Sequence, residues 1–271
     1  MFPANHFPFK KLHGAGNDFI IMHAPVKPLT NKLIEMLCHR NFGIGADGLI
    51  LISKGQKTDF KMDYFNADGF GDSMCGNGGR AAAVFAFLEL NAKKNMQFEA
   101  IDGMHQAEII QAQAGSFDVK ISMNDISDFD LNEERLIVNT GSAHYVKRCD
   151  NLAGLDLIQI AAPIRYNKNI SKDGVNVNFM ERMNGEIFLR TYEKGVENET
   201  LACGTGATAA AIAAALWYDM QTAKIHSKGG DLEVNFKREG EKFTDIWLRG
   251  PVQVVFEGTV NLHQKQIFAA F

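Results

Sequence analysis

Apolar and polar residues alternate along much of the chain, in short runs that are bounded by Gly, Asn and Asp. A period of two of this kind is typical of half-buried strands. In the first part of the chain the pattern predicts a strand–turn–strand over 8–24 and strands at 47–53, 60–66, 96–101, 105–112 and 116–123. In the second part it predicts a strand and loop over 135–148 and strands at 175–183, 186–195, 224–236, 243–250 and 252–262.

Four stretches favour helices instead. The first is expected to be capped by Thr30 or Asn31 and to end at Gly43. A short helix is predicted within 156–166. The other two are Ala-rich and follow closely similar phrases, "MCGNGGRAAAVFAFLEL" at 74–90 and "ACGTGATAAAIAAALWY" at 202–218.

The order of strands around an Ala-rich helix is similar in the two halves, although sequence identity between them is weak outside the repeated phrase. We therefore predict an α+β fold of two similar domains. Each is expected to be a curved mixed or antiparallel sheet wrapped around its central helix, with the active site in the cleft between them. The predicted domains are 1–124, to which 261–271 could return, and 125–260.

Charge and hydropathy exclude several classes of partner. The net charge is −4 and no Lys/Arg run exceeds two residues, so neither a nucleic acid nor a membrane surface is expected. No apolar stretch approaches the length of a membrane span, and the N-terminal stretch lacks a signal-peptide pattern. We expect a cytoplasmic protein.

The four cysteines have no spacing that suggests zinc, and a reducing cytosol disfavours disulfides. No metal is therefore expected. Cys38 lies in a helical apolar pattern and is predicted to be a buried core thiol, and Cys149 has no functional cue. Cys75 and Cys203 differ from these because each opens a CGxG turn before an Ala-rich helix.

A thiol at a helix start lies beside unpaired backbone N–H groups and the positive end of the helix dipole, which also suit a carboxylate. Two such thiols on opposite faces of one carbon could remove a proton from one side and return another to the opposite side. Such an inversion needs no cofactor. The repeat also leaves open a buried Cys in a tight turn, a thiol redox pair and a non-enzymatic anion-binding module.

The motifs resemble those of the diaminopimelate epimerase family over nearly the whole chain. They occur in the family's order, as "FKKLHGAGNDFI" (9–20), "HRNFGIGADGLI" (39–50), "YFNADGFGDSMCGNGGR" (64–80), "GSAHYV" (141–146), "VNVNF" (175–179) and "RTYEKGVENETLACGTGAT" (190–208). Proline racemases share the two-cysteine plan but not this series. The resemblance implies epimerisation of LL-2,6-diaminopimelate to the meso form for lysine and peptidoglycan precursors, without a cofactor and by a homodimer. A racemase of another amino acid and a thiol redox protein are the alternatives.

The same resemblance implies roles for individual residues. Cys75 and Cys203 are the implied acid/base pair, and His144 and Glu193 are the implied tuners of the thiol pKa values. The implied substrate contacts are Asn17, Asn66, Gly76, Asn77, Asn176, Glu193, Lys194, Gly204 and Thr205. Arg80 is expected to be a surface residue or a salt-bridge anchor and is left out of the site.

The chain departs from the family at three places. Ser142 and Ala143 stand where Asn-Pro is frequent, Gly48 stands where Gln can occur, and Lys194 replaces Arg. These changes concern substrate recognition rather than the thiols. The reaction type is therefore the firmer expectation.

Overall fold

The computed structural model describes residues 6–71 and 74–261. Within them lie the helices α1 (Asn31–Cys38), α2 (Gly76–Glu89), α3 (Leu157–Arg165) and α4 (Gly204–Tyr218). The first strands are β1 (His6–Gly14), β2 (Asn17–His23), β3 (Gly48–Ser53), β4 (Phe60–Asn66), β5 (Asn95–Ala100), β6 (Gly103–Gln113) and β7 (Ser116–Ser122). The others are β8 (Phe129–Leu131), β9 (Arg135–Asn139), β10 (Ala143–Arg148), β11 (Asn176–Met183), β12 (Glu186–Glu193), β13 (Asn198–Thr200), β14 (Thr222–Ser227), β15 (Gly230–Glu239) and β16 (Lys242–Asn261).

The strands form one continuous sheet in the order β1-β2-β3-β4-β5-β6-β7-β16-β15-β14-β12-β11-β10-β9-β8, with β13 paired to β12. Because β16 also pairs with β1, the first seven strands and β16 close on themselves. A single bridge between Ile126 and Phe243 brings the start of the second strand set back to β16. The sheet therefore forms two adjoining curved parts, called wrappings below. The first is made of β1–β7 and β16, the second of β8–β15 and β16, so β16 is shared.

A central helix fills each wrapping. Residues 76–86 of α2 and 204–215 of α4 are buried, so both helices are covered on all sides. A helix enclosed in this way needs no polar face towards solvent, and alanine lets the surrounding strands approach it closely. The predicted α+β class, with a curved sheet around each central helix, is confirmed.

The division into 1–124 and 125–260 stays a prediction, and residues 262–271 lie outside the described residues. β16 belongs to both halves, because it pairs first with β15, then with β7 and finally with β1. No helix in the described part of the chain is long and apolar enough to cross a membrane.

Several predicted boundaries were wrong. α1 begins after the Thr30 cap, as predicted, but ends at Cys38 because His39 is already extended, and Gly43 lies in the following loop. The predicted strand 224–236 is two strands joined by a turn at Lys228 and Gly229. The two strands predicted at 243–250 and 252–262 are one strand as far as Asn261, where the described residues end, and Pro251 lies within it beside β7.

Candidate active site

The two helices α2 and α4 begin opposite each other. A Cβ atom added to Gly204 would lie 3.2 Å from the backbone nitrogen of Asn77, and one added to Gly76 would lie 3.4 Å from the Cα atom of Gly204. Both N-cap residues, Cys75 and Cys203, have extended backbones, with φ of −102° and −119°. The first glycine of each CGxG motif therefore lets the two positive helix ends meet at one place.

The second glycine of each motif makes room for the thiol. A Cβ atom at Gly78 would lie 3.5 Å from the sulfur of Cys75, and one at Gly206 would lie 3.4 Å from the sulfur of Cys203. The added atom at Gly206 would also lie 2.6 Å from Asn178 Oδ1. The repeated spacing thus follows from matched packing at two helix starts.

A cavity of about 170 Å³ lies where the helix starts meet. Its lining includes every predicted site residue except His144, together with Tyr64, Met74, Gly141, Ser142 and Ala143. His144 is fully buried behind the cavity wall. The structure therefore brings the predicted catalytic and substrate-binding residues together and places the predicted tuning histidine one layer deeper.

Cys75 lies between a hydrogen-bond acceptor and a hydrogen-bond donor. Its thiol donates to Asn17 Oδ1 at 3.7 Å, and its sulfur accepts from the backbone N–H of Gly78 at 3.4 Å. Asn17 is oriented by Asp47, which accepts from Asn17 Nδ2 at 2.9 Å and so turns Asn17 Oδ1 towards the thiol. The bond to Asn17 favours the protonated form of Cys75, whereas the bond from Gly78 favours its thiolate.

Cys203 is contacted by the hydroxyl of Thr205, at 3.4 Å from sulfur to oxygen. The same hydroxyl lies 2.9 Å from His144 Nε2, while Asn178 Nδ2 lies 2.9 Å from His144 Nδ1. Asn178 also donates to the carbonyl of Tyr145 and accepts from Thr191, which fixes the orientation of its amide.

This orientation decides the histidine tautomer. Asn178 donates to Nδ1, so the proton of neutral His144 lies on Nε2 and is donated to Thr205. The hydroxyl proton of Thr205 is then free to be donated to the sulfur of Cys203. Burial lowers the pKa of His144 to about 3, which keeps the imidazole neutral. His144 therefore acts on Cys203 through Thr205 rather than by direct contact.

Burial also shifts the pKa values of the two thiols and of Glu193 in the cavity. It raises the pKa of the Cys75 thiol to about 12 and raises the pKa of Cys203 as well, and the negative charge of Glu193 adds to both shifts. Glu193 itself has a pKa raised to about 7 by its burial. At neutral pH the unliganded site therefore holds two thiols and a carboxyl group close to half protonation.

Asn77 joins the two cysteine motifs. Its Nδ2 donates to the carbonyl of Ala202 at 3.0 Å and to Asn17 Oδ1 at 3.2 Å, and its Oδ1 accepts from Arg80 at 2.7 Å. Because protein groups occupy the whole amide, what remains for a ligand is the backbone N–H of Asn77 at the helix start.

Arg80 is not at the surface, so that part of the expectation was wrong, and it forms no salt bridge with any described residue. The side chain is completely buried and donates to Gly76 O at 3.2 Å as well as to Asn77. Its Nε has no partner among the described residues, and burial lowers the pKa of the guanidinium to about 10. A cation thus lies directly behind the start of α2, where it adds to the positive helix end.

Part of the polar lining comes from the ends of three strands, β10, β11 and β12. Asn176 donates to Ser142 Oγ at 2.7 Å and to Ala143 O at 3.3 Å, and its Oδ1 accepts from the backbone N–H of Lys194 at 2.8 Å. Ser142 thus binds Asn176 at one of the three departures. The amino group of Lys194 has no acidic partner among the described residues, so the cavity carries an unpaired cation.

No group of three or more His, Cys, Asp or Glu side chains in the described residues is arranged to hold a metal ion. The expectations of no metal and no cofactor stay predictions.

The family model and the curated relatives match this chain to the same family over most of its length. The model of the family described as "Diaminopimelate epimerase" matches residues 9–125 and 136–255. A diaminopimelate epimerase of Flavobacterium psychrophilum is 44% identical over 257 residues, which cover 92% of this chain and 98% of the relative. One from Chlorobaculum tepidum is 39% identical and covers 93% of this chain and 100% of the relative.

Solved structures of low sequence identity share the fold. A probable proline racemase from Agrobacterium radiobacter has a TM-score of 0.73 at 15% identity, covering 98% of this chain and 96% of that one. A hydroxyproline epimerase from Agrobacterium vitis has a TM-score of 0.70 at 12% identity, covering 97% and 94%.

Proposed function

The chain belongs to the diaminopimelate epimerase family, and we propose that Cys75 and Cys203 are the two bases of its reaction. That reaction is the epimerisation of LL-2,6-diaminopimelate to the meso form, an isomerase step of lysine biosynthesis. The observation that carries the proposal is the meeting of two helix starts, each with a thiol at its N-cap, at one small cavity.

The reaction inverts one α-carbon. A thiolate on one side removes the α-proton and becomes a thiol, leaving a carbanion that is delocalised into the carboxylate. The second thiol then gives its proton to the opposite face and becomes a thiolate. No proton is gained or lost overall, and the reverse direction exchanges the two roles.

The α-carboxylate is proposed to bind at the two helix starts. Backbone N–H groups at Gly76, Asn77, Gly204 and Thr205 lie there without helical partners of their own. Charge grows on this carboxylate as the proton leaves, and two helix dipoles together with buried Arg80 favour that charge. Because the donors are already in position, the protein need not reorganise during the reaction.

The hydrogen bonds distinguish the two thiols. Both sulfurs accept a hydrogen bond that favours the thiolate, Cys75 from the N–H of Gly78 and Cys203 from Thr205, but only Cys75 also donates, to Asn17, which favours its thiol form. We propose that Cys203 is the base in one direction of the reaction, with the His144–Thr205 pair supporting its thiolate form. Glu193, with its pKa of about 7, is the proposed acceptor for the ammonium group at the reacting carbon.

The far end of the substrate carries a second carboxylate. Lys194 lines the same cavity and its amino group has no acidic partner among the described residues, so we assign the distal carboxylate to it. Lysine gives this contact as a single point charge, whereas arginine would give a planar fork. The contact is correspondingly less directional.

We further propose that the enzyme is a cytoplasmic homodimer. All four cysteines are unpaired, which fits a reducing cytoplasm. The homodimer rests on the family resemblance, and sedimentation velocity at several protein concentrations tests it.

Incubation with LL-diaminopimelate in D2O tests the proposed chemistry. The meso product should form with one deuterium at the inverted carbon, because the thiols exchange their protons with solvent. Alanine and proline serve as alternative substrates and should show no exchange. Absence of both deuterium and meso product would overturn the proposal, and rapid disulfide exchange with a dithiol in the same preparation would favour the redox alternative.

A further inference from the structure

Tyr64, in β4, lines the cavity but has no part in the chemistry described above. Its ring packs edge-on against Phe19, with 6.1 Å between the ring centroids. It also fills the space above Gly48, where an added Cβ atom would lie only 2.6 Å from Tyr64 Cε2. The ring is therefore held in one position, and the absence of a side chain at residue 48 is a condition for that position.

The hydroxyl of Tyr64 donates to Asn66 Oδ1 at 2.6 Å. Burial raises the pKa of Tyr64 well above its usual value, so the hydroxyl stays protonated and keeps this bond. A phenol has one proton to donate. With that proton used, Tyr64 Oη is left to act towards a ligand as an acceptor.

Asn66 completes a matched pair of groups. Its Oδ1 is taken by Tyr64, and its Nδ2 has no hydrogen-bond partner among the described residues. The pair thus offers the cavity an acceptor at Tyr64 Oη and donor hydrogens at Asn66 Nδ2, side by side. An ammonium group beside a carboxylate, the zwitterionic end of an amino acid, has the complementary arrangement.

Diaminopimelate has two such ends. At the reacting end, the helix starts take the carboxylate and Glu193 takes the ammonium group. The distal end has its carboxylate assigned to Lys194 and no acceptor yet for its ammonium group. We propose that Tyr64 Oη binds the distal ammonium group and so selects a substrate with a second amino-acid end. This inference rests on the proposed function.

The test compares two substrates in the intact enzyme. The second is 2-aminopimelate, which keeps both carboxylates and the reacting carbon but has hydrogen in place of the distal ammonium group. Exchange of the α-proton in D2O gives kcat/KM for each substrate in wild type and in Tyr64→Phe, which keeps the ring. Tyr218→Phe, which changes a tyrosine that does not line the cavity, is the matched control.

Tyr64→Phe should lower kcat/KM for diaminopimelate roughly 10-fold or more, mainly through KM, because a hydrogen bond to a charged group is lost. The loss should be several-fold smaller with 2-aminopimelate, which has no distal ammonium group and can lose only the Tyr64–Asn66 bond, and both values for the control should stay within about two-fold of wild type. An equal loss with both substrates, or no loss with diaminopimelate, would overturn the inference. Failure of the proposed function itself would be seen separately, as wild-type protein without exchange on diaminopimelate.

Discussion

The side-chain amide of Asn77 donates to the backbone carbonyl of Ala202 at 3.0 Å, one residue before the second cysteine. Asn77 follows the first cysteine by two residues, so this bond ties the two cysteine motifs directly together. The spacing between the two thiols therefore depends on one buried amide as well as on the packing of the sheet.

Asn77→Ala should weaken both stability and catalysis. The substitution leaves the buried guanidinium of Arg80 without its 2.7 Å acceptor and removes the link to Ala202. We expect the free energy of unfolding to fall by about 2–3 kcal/mol and kcat to fall with it. Urea denaturation and steady-state kinetics measure the two effects, with exposed Asn169→Ala as the control. Unchanged kcat in a destabilised variant would show that the bond is structural only.

Cys75→Ala and Cys203→Ala should each abolish epimerisation while the fold stays intact. Each face of the α-carbon needs its own group, so neither thiol replaces the other. Turnover of LL-diaminopimelate to the meso form and the circular dichroism spectrum are the measurements. Cys149→Ala removes a thiol that does not line the cavity and should keep full activity. A variant of either proposed base that keeps more than a few per cent of turnover contradicts the two-base mechanism.

Thr205→Val should move the acidic limb of the kcat/KM profile to higher pH. The hydroxyl donates to the Cys203 sulfur and so favours the thiolate, and its loss raises the pKa of this thiol further. Thr205→Ser keeps the hydroxyl and should keep the profile. Thr208→Val, a change of another buried threonine in α4, is the control. Identical pH profiles for Thr205→Val and wild type would remove Thr205 from the support of Cys203.

Lys194→Ala should raise KM for diaminopimelate with little change in kcat. Loss of a charged hydrogen bond costs about 2–3 kcal/mol, or roughly 30- to 150-fold in kcat/KM. Lys194→Arg should keep or improve kcat/KM, because a guanidinium binds a carboxylate through two parallel bonds. Exposed Lys57→Ala controls for the loss of a positive charge. An unchanged kcat/KM in Lys194→Ala would mean that this residue does not bind the distal end.

Glu193→Gln should flatten the dependence of stability on pH. The folded-state pKa of Glu193 is about 7 and its unfolded value is 4.5, so the folded protein binds more protons between these values. Its stabilising contribution is therefore complete below pH 4.5 and is lost as pH rises towards 7, by up to roughly 3 kcal/mol. Denaturation at several pH values measures the effect, with exposed Glu241→Gln as the control. If wild type and Glu193→Gln have parallel curves, burial does not perturb this carboxyl group.

Local features, such as helix starts and short strands, were predicted well from the sequence. A CGxG turn before a run of alanines determines a helix start within a few residues, and the matched copies predicted that the two starts meet. The order of short strands was likewise visible as a period of two. Boundaries failed where the sheet decided them, as at Pro251, which continues a strand because the strand exchanges one partner for another there.

Residues that act through the surrounding fold were missed. Arginine is usually exposed at the surface. Arg80 is a buried cation only because the sheet closes around α2. Asn178 carried a signal that could have found it, because it lies two residues after Asn176 in a strand and asparagine is disfavoured there. Tyr64 carried none, since a tyrosine in a strand pattern is ordinary.

The pairing of β1 with β16 joins His6 to Asn261, almost the two ends of the described chain. A ribosome makes the chain from its N-terminus, so the first wrapping waits for the last strand before it can close. Neither cysteine motif can be held at its final spacing until that strand has been made. We therefore expect nascent chains to be inactive until β16 has been made, and the time of elongation to that strand, rather than helix formation, to set when activity first arises.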